Sequence, residues 1–156
     1  MEGYTVTLVF VGSNPSWASS VSKAFDMSTY SGRVLNGWTK ELSGVDYFRY
    51  ANVCDKPTPN NRPLKDSEIK DNIAQLNTWL ESYGNIKIVA LGKTATKALT
   101  LLQLPFYEMP HPSGLNRQLN DPEYIAKKLK GLKEYLVLAK SNDDSGDATD
   151  EGNNSK

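Results

Sequence analysis

A three-layer α/β domain, with a central, mostly parallel four-stranded sheet and helices on both faces, is the fold this sequence predicts. Three observations predict it. Short β-rich runs alternate along the chain with stretches whose apolar residues recur at helical spacing, the pattern of a sheet wound with helices. The run IKIVALG (86–92) is nearly all apolar, as a strand covered on both faces must be. Three of the four β-rich runs also end in loops rich in Gly, Asn, Pro or Ser, where a doubly wound sheet binds its ligand.

The elements follow in order. TVTLVFVG is a strand ending at Gly12, and DYFRYANV is aromatic and β-branched enough for a second. Between them SGRVLNGWTKEL carries Val34, Leu35, Trp38 and Leu42 on one helical face. DSEIKDNIAQLNTWLESYG is a helix capped by Asp66 or Ser67, with a stripe through Ile69, Ile73, Leu76 and Leu80 and a stop at Gly84. IKIVALG is the third strand, TATKALTLLQL the next helix and FYEM a short fourth strand. DPEYIAKKLKGLKEYLVLA closes the domain as a helix with Asp121 as its cap and Pro122 in its first turn.

Residues 1–140 form this single domain, and residues 141–156 are expected to be a disordered acidic tail, since they hold no large apolar residue. The chain has 18 bases and 18 acids. Removing the tail's five acids (Asp143, Asp144, Asp147, Asp150, Glu151) and one base (Lys156) leaves 17 bases and 13 acids, a body near +4. Such a body tolerates a polyanion without requiring one. A single cysteine, Cys54, excludes an intrachain disulfide and any cysteine-built metal site, so neither cofactor nor metal is expected. With no signal peptide and no apolar run of about 20 residues, the expectation is a soluble intracellular protein, a monomer, with no membrane contact.

The loops beyond the strands are GSNPS, then ANVCDKPTPNNRP, then GKT, then PHPSGLNR. They bring Asn14, Asn52 and His111, the lone histidine, to one cleft. Pro110 and Pro112 flank His111 and stiffen it, because each ring fixes its own φ and restricts the residue before it. The cleft has no strong nucleophile, no carboxylate pair and no metal cluster. Amides, one imidazole and backbone N–H groups suit a reaction in which the protein aligns a water and stabilises a leaving anion. Cleavage of an N-glycosidic bond is of this kind, passing through an oxocarbenium-like sugar. GKT at 92–94 is not a phosphate loop, because the pattern requires glycine at position 87, where Lys87 stands.

These residues carry a resemblance. VFVGSNPS resembles the first motif of the uracil-DNA glycosylase superfamily, in the Gly-X-Asn-Pro form of its mismatch-specific and single-strand-selective branches. HPSGLNR resembles the second motif, joining the His-Pro-Ser of the uracil-specific branches to the Ser-Gly-Leu-X-Arg of the mismatch-specific branch. YANVCDKPTPNNRP is similar to the central segment of the iron–sulfur branches, and VALGKTATKAL to the third strand and following helix. One cysteine cannot hold the cluster of those branches. The resemblance spans residues 6 to about 138.

The resemblance implies a monofunctional glycosylase that flips uracil or a C5-modified uracil out of single- or double-stranded DNA and leaves an abasic site. It gives Asn14 the attacking water and His111 the pyrimidine O2. Asn52 reads the base edge, its donor and acceptor complementing O4 and N3–H. Phe25 stacks on the base within a pocket formed with Gly12, Ser13, Pro15 and Ser16. Ser16 is small where uracil-only members carry Tyr, which leaves room at C5, and Trp17 beside it is large enough to refill that room. Leu115 is the wedge that enters the stack, with Ser113, Gly114, Asn116 and Arg117 beside the DNA backbone. Two alternatives share the fold: a protein that binds DNA or a modified base without cutting, and an enzyme acting on an unusual base in a DNA-modification pathway.

Overall fold

The computed structural model describes residues 6–15, 24–113 and 116–145. Four strands form one sheet in the order β2-β1-β3-β4, every neighbour parallel. They are β1 (Thr7–Gly12), β2 (Tyr47–Asn52), β3 (Ile86–Leu91) and β4 (Tyr107–Met109). Four helices connect and follow them: α1 (Tyr30–Thr39), α2 (Asp66–Glu81), α3 (Lys93–Leu101) and α4 (Pro122–Ser145). The expected three-layer architecture is therefore present, with a wholly parallel sheet.

The two-residue period of a strand divides the core. Leu8, Phe10, Val89, Leu91 and Met109 face one side, against Leu35 and Trp38 of α1 and Leu132 and Leu136 of α4. Val9, Val11, Ile88 and Ala90 face the other, against Ile69, Leu76 and Leu80 of α2 and Ala95, Ala98 and Leu99 of α3. Every residue of β1 is buried, because it lies between two strands and under helices on both faces. Phe10 stacks with Tyr50 at 5.8 Å between ring centroids and with Phe48 at 6.3 Å, extending one layer to the β2 edge.

Three local features bear on how the elements are set. Helix α2 is capped one residue earlier than expected, at Lys65, whose backbone N–H donates to Glu68 Oε1 at 2.7 Å. Glu68 also accepts both terminal nitrogens of Arg62, at 2.9 and 3.0 Å. The Arg62 hydrogen bond first, and then the Lys65 N–H, hold the Glu68 carboxyl down at about 2. The loop after β2 is thereby tied to the first turn of α2. Gly131 falls inside α4, where a helix is weakened by about 1 kcal/mol relative to Ala. Its reason is tertiary: the Tyr107 ring lies over it, with the hydroxyl donating to the Lys128 carbonyl at 2.9 Å. Finally, α4 runs to Ser145, five residues into the stretch assigned to the tail, because a helix propagates through polar residues once a packed segment has nucleated it. Residues 146–156 lie outside the described residues. Among the described residues, no helix is long and apolar enough to cross a membrane.

Candidate active site

The strand order makes β1 and β3 neighbours that the chain reaches from opposite directions. This is the switch point at which open α/β sheets bind ligands, beyond the carboxyl ends of the strands. Register brings those ends level: Gly12 pairs with Asn52, and Leu91 with Met109. Two further backbone bonds extend the lattice past the strands. Val53 N–H donates to the Gly12 carbonyl at 2.8 Å, and Gly92 N–H to the Met109 carbonyl at 3.0 Å. The loops carrying Asn14, Asn52 and His111 thus leave a rigid edge.

Glycine makes the edge close enough for these side chains to meet. A Cβ on Gly12 would stand 2.5 Å from the Phe25 ring and 2.7 Å from Asn52 Oδ1, so both side chains lie directly over the Gly12 backbone. Gly92 has φ 91°, and a Cβ there would be 3.2 Å from the His111 Cβ. Only glycine adopts that backbone readily while letting the histidine approach. The Phe25 and His111 rings then lie 6.1 Å apart at 49°, and Phe25 is 6.5 Å from Tyr50. Phe25 itself has φ 55°, an uncommon value for a non-glycine residue. Gly12, Phe25, Asn52 and His111 are one cluster. Among the described residues nothing hydrogen-bonds the Asn52 carboxamide.

The His111 loop is braced from within. Pro110 and Pro112 are both buried, so the two rings that limit its backbone are themselves packed. Asn116 Nδ2 donates to the His111 carbonyl at 2.9 Å, and Asn116 Oδ1 accepts from Gln118 N–H at 3.0 Å, capping the 3₁₀ turn Arg117–Asn120. The Asn116 side chain thus braces the loop that the resemblance sets beside the DNA backbone. Arg117 is exposed at the start of the turn, and Ser113 accepts the Asn116 N–H through its carbonyl at 2.9 Å. Ser16, Gly114 and Leu115 lie outside the described residues.

Asn14 sits one step along the edge, between Ser13 and the loop after β2. Ser13 Oγ donates to Asn14 Oδ1 at 2.9 Å. Asn14 Nδ2 donates to the Lys56 carbonyl at 3.2 Å and to Thr58 Oγ1 at 3.4 Å. Pro15 follows, half-buried. Sequence reasoning missed Thr58, Gly92 and the bracing role of Asn116. Gly92 alone left a signal, as the glycine that ends the third β-rich run.

Burial pushes the His111 imidazole below its ordinary value of 6.5, so it is neutral near pH 7 and presents one donor and one acceptor. The unfolded chain binds a proton at His111 below about pH 6.5, whereas the folded chain resists it. The stability contribution is present above that pH and falls as pH drops through the lowered folded value. His111→Gln is expected to lose less melting temperature than wild type between about pH 7.5 and about pH 5.5. An acid loss as large in the variant would show that burial does not hold His111 neutral.

Two cavities lie elsewhere. One of about 460 Å³ is lined by Tyr30, Val34, Trp38, Leu119, Ile125 and Leu129, between α1 and α4. One of about 450 Å³ is lined by Leu80, Ile86, Ile88, Leu104, Pro105 and Tyr135, towards the opposite end of the sheet. Neither includes Gly12, Asn14, Asn52 or His111, and neither gathers their convergent polar groups.

The model of one protein family, the uracil DNA glycosylase superfamily, matches residues 3–133. No curated protein matches the chain.

Proposed function

The chain belongs to the uracil DNA glycosylase superfamily, and from that membership we propose that it is a monofunctional hydrolase of uracil or a C5-modified uracil in DNA. DNA glycosylase activity is the family's general chemistry; the base, the flipping step and the residue roles follow the resemblance of the motifs. The observation that carries it is the single cluster of Gly12, Phe25, Asn52 and His111 at the switch point, with Asn14 beside it.

In this reading the flipped base stacks on Phe25 over the Gly12 backbone. Asn52 meets its edge, donating to O4 and accepting from N3–H. Cytosine offers the reverse pattern there and is rejected. Asn14 Oδ1 accepts a hydrogen bond from the attacking water and turns the water oxygen towards C1′. The new bond forms between that oxygen and C1′ as the C1′–N1 bond breaks. The bonding pair leaves with the base and spreads onto O2, which takes the hydrogen bond of neutral His111. The water's surplus proton passes to solvent. Asn14 is not basic, so the enzyme forgoes the general-base contribution of about 10²–10⁴-fold that a carboxylate supplies. Leu115 fills the gap in the stack, Ser113 and Arg117 hold phosphates, and Ser16 borders the C5 side of the base.

The test is cleavage of oligonucleotides bearing uracil, hydroxymethyluracil, or a G·U or G·T mismatch, single-stranded and duplex, followed by alkaline scission at abasic sites. Asn14→Ala is expected to cut at least tenfold more slowly (about 1.4 kcal/mol of barrier) with DNA affinity nearly unchanged, because the amide touches the water. Equal losses of binding and cleavage would remove Asn14 from this role. Binding without any cleavage would leave a recognition module on the same fold.

A further inference from the structure

We propose that Thr58 is the positioning residue that decides which end of the Asn14 carboxamide faces the reacting water. This rests on the reading of Asn14 given above. An amide's two ends are nearly the same size and differ in polarity. Turned one way, Asn14 offers Oδ1, accepts a hydrogen bond from the water and leaves the water's lone pair for C1′. Turned the other way, it offers Nδ2–H₂, which binds that same lone pair and withdraws the nucleophile.

The hydrogen-bond pattern around Asn14 fixes the first orientation from both sides. The Lys56 carbonyl, 3.2 Å from Nδ2, can only accept. A threonine hydroxyl would ordinarily tolerate either end, since it both donates and accepts. Thr58 does not, because its one proton is committed to the Arg62 carbonyl. Towards Asn14, 3.4 Å away, Thr58 Oγ1 is therefore an acceptor only. On the far side Ser13 Oγ donates to Oδ1 at 2.9 Å. A half-turn of the amide would set Oδ1 against two acceptors at once.

The lock is held rigidly. Thr58 is 4% exposed, and its carbonyl accepts Asn61 N–H at 3.1 Å as the 3₁₀ turn Pro59–Asn61 begins. Arg62, whose carbonyl takes the Thr58 proton, is itself clamped by the two bonds to Glu68. The chain of contacts runs from α2 through Arg62 and Thr58 to Asn14.

The experiment compares Thr58→Val and Thr58→Ser by single-turnover cleavage, with melting curves. Valine keeps the buried methyl and removes the hydroxyl; serine does the reverse. The expected result is a rate at saturating enzyme lower by about threefold to tenfold for valine, the size of one neutral hydrogen bond. Its half-saturating concentration is unchanged. Serine is expected to restore the rate even where it lowers the melting temperature, and Thr58→Val is expected to slow Asn14→Ala no further. Thr58→Ala replaces valine if the valine variant does not fold. A purely structural Thr58 would make activity follow melting temperature in both variants, and that outcome overturns the proposal, as does a valine variant as fast as wild type. A wild-type protein that cuts none of the oligonucleotides sinks the proposed activity, and the lock falls with it.

Discussion

His111→Ala is expected to slow base release by about 10²–10³-fold, the usual cost of removing one preorganised donor from a developing oxyanion. The substitution is clean. Alanine keeps the Cβ that lies against Gly92, and Pro110, Pro112 and the Asn116 bond to the backbone carbonyl remain in place. What disappears is the imidazole over the base site, 6.1 Å from the Phe25 ring. Affinity for DNA should change little, because O2 carries its charge only as the bond breaks, and only interactions stronger in the transition state accelerate the step. Single-stranded and duplex substrates should slow alike, since the base needs the donor wherever it came from. Single-turnover rates on paired oligonucleotides provide the measurement. A loss smaller than tenfold, or one confined to duplex DNA, would take His111 out of this role.

Gly12→Ala is expected to reduce kcat/KM by about 10²-fold through crowding alone, the scale set by a misplacement near 1 Å. The new methyl would stand 2.5 and 2.9 Å from the Phe25 ring and 2.7 Å from Asn52 Oδ1. The strand cannot yield, because Gly12 ends β1, which is buried throughout and flanked by β2 and β3. Phe25 and Asn52 must move, and these two side chains are proposed to sandwich and read the base. The loss should therefore appear with a raised KM, in contrast to His111→Ala. Gly37→Ala is the control: it lies in α1, and a Cβ there meets nothing within 4 Å. That variant should match wild type in rate. Wild-type KM and rate in Gly12→Ala would show that the base does not lie over β1.

Much of this was legible before the structure. Strand and helix alternation is written in apolar spacing, and a strand buried on both faces has almost no other way to read than IKIVAL. Once four strand ends were known, the fold's own geometry gathered the residues after them, which is why Asn14, Asn52 and His111 could be placed in one cleft. Other features depend on contacts between distant segments. Gly131 looks like a weak point in a helix until Tyr107, from another strand, lies across it. The resemblance sets Asn116 beside the DNA backbone, and only the structure shows its side chain turning back to donate to the His111 carbonyl of its own loop. Thr58 left no mark at all: its meaning depends on where its single proton goes, and that is decided by the Arg62 carbonyl four residues later. The Lys65 cap was missed because its backbone N–H donates to the Glu68 carboxylate three residues on, so any residue type can occupy the position.

The sheet order has a consequence for how the molecule comes into being. Its central strand is the first to leave the ribosome, yet Val11 pairs with Ala51 on one side and Ala90 on the other. The nucleating strand must wait for partners synthesised long after it, and each pairing closes a long loop before any contact rewards it. During that wait an apolar segment with two open edges is exposed to whatever else is nearby, the situation in which nascent chains need a chaperone. His111 arrives after both pairings. A chain that stops at the end of β3 would have three strands, Asn14 and Asn52 but neither β4 nor His111.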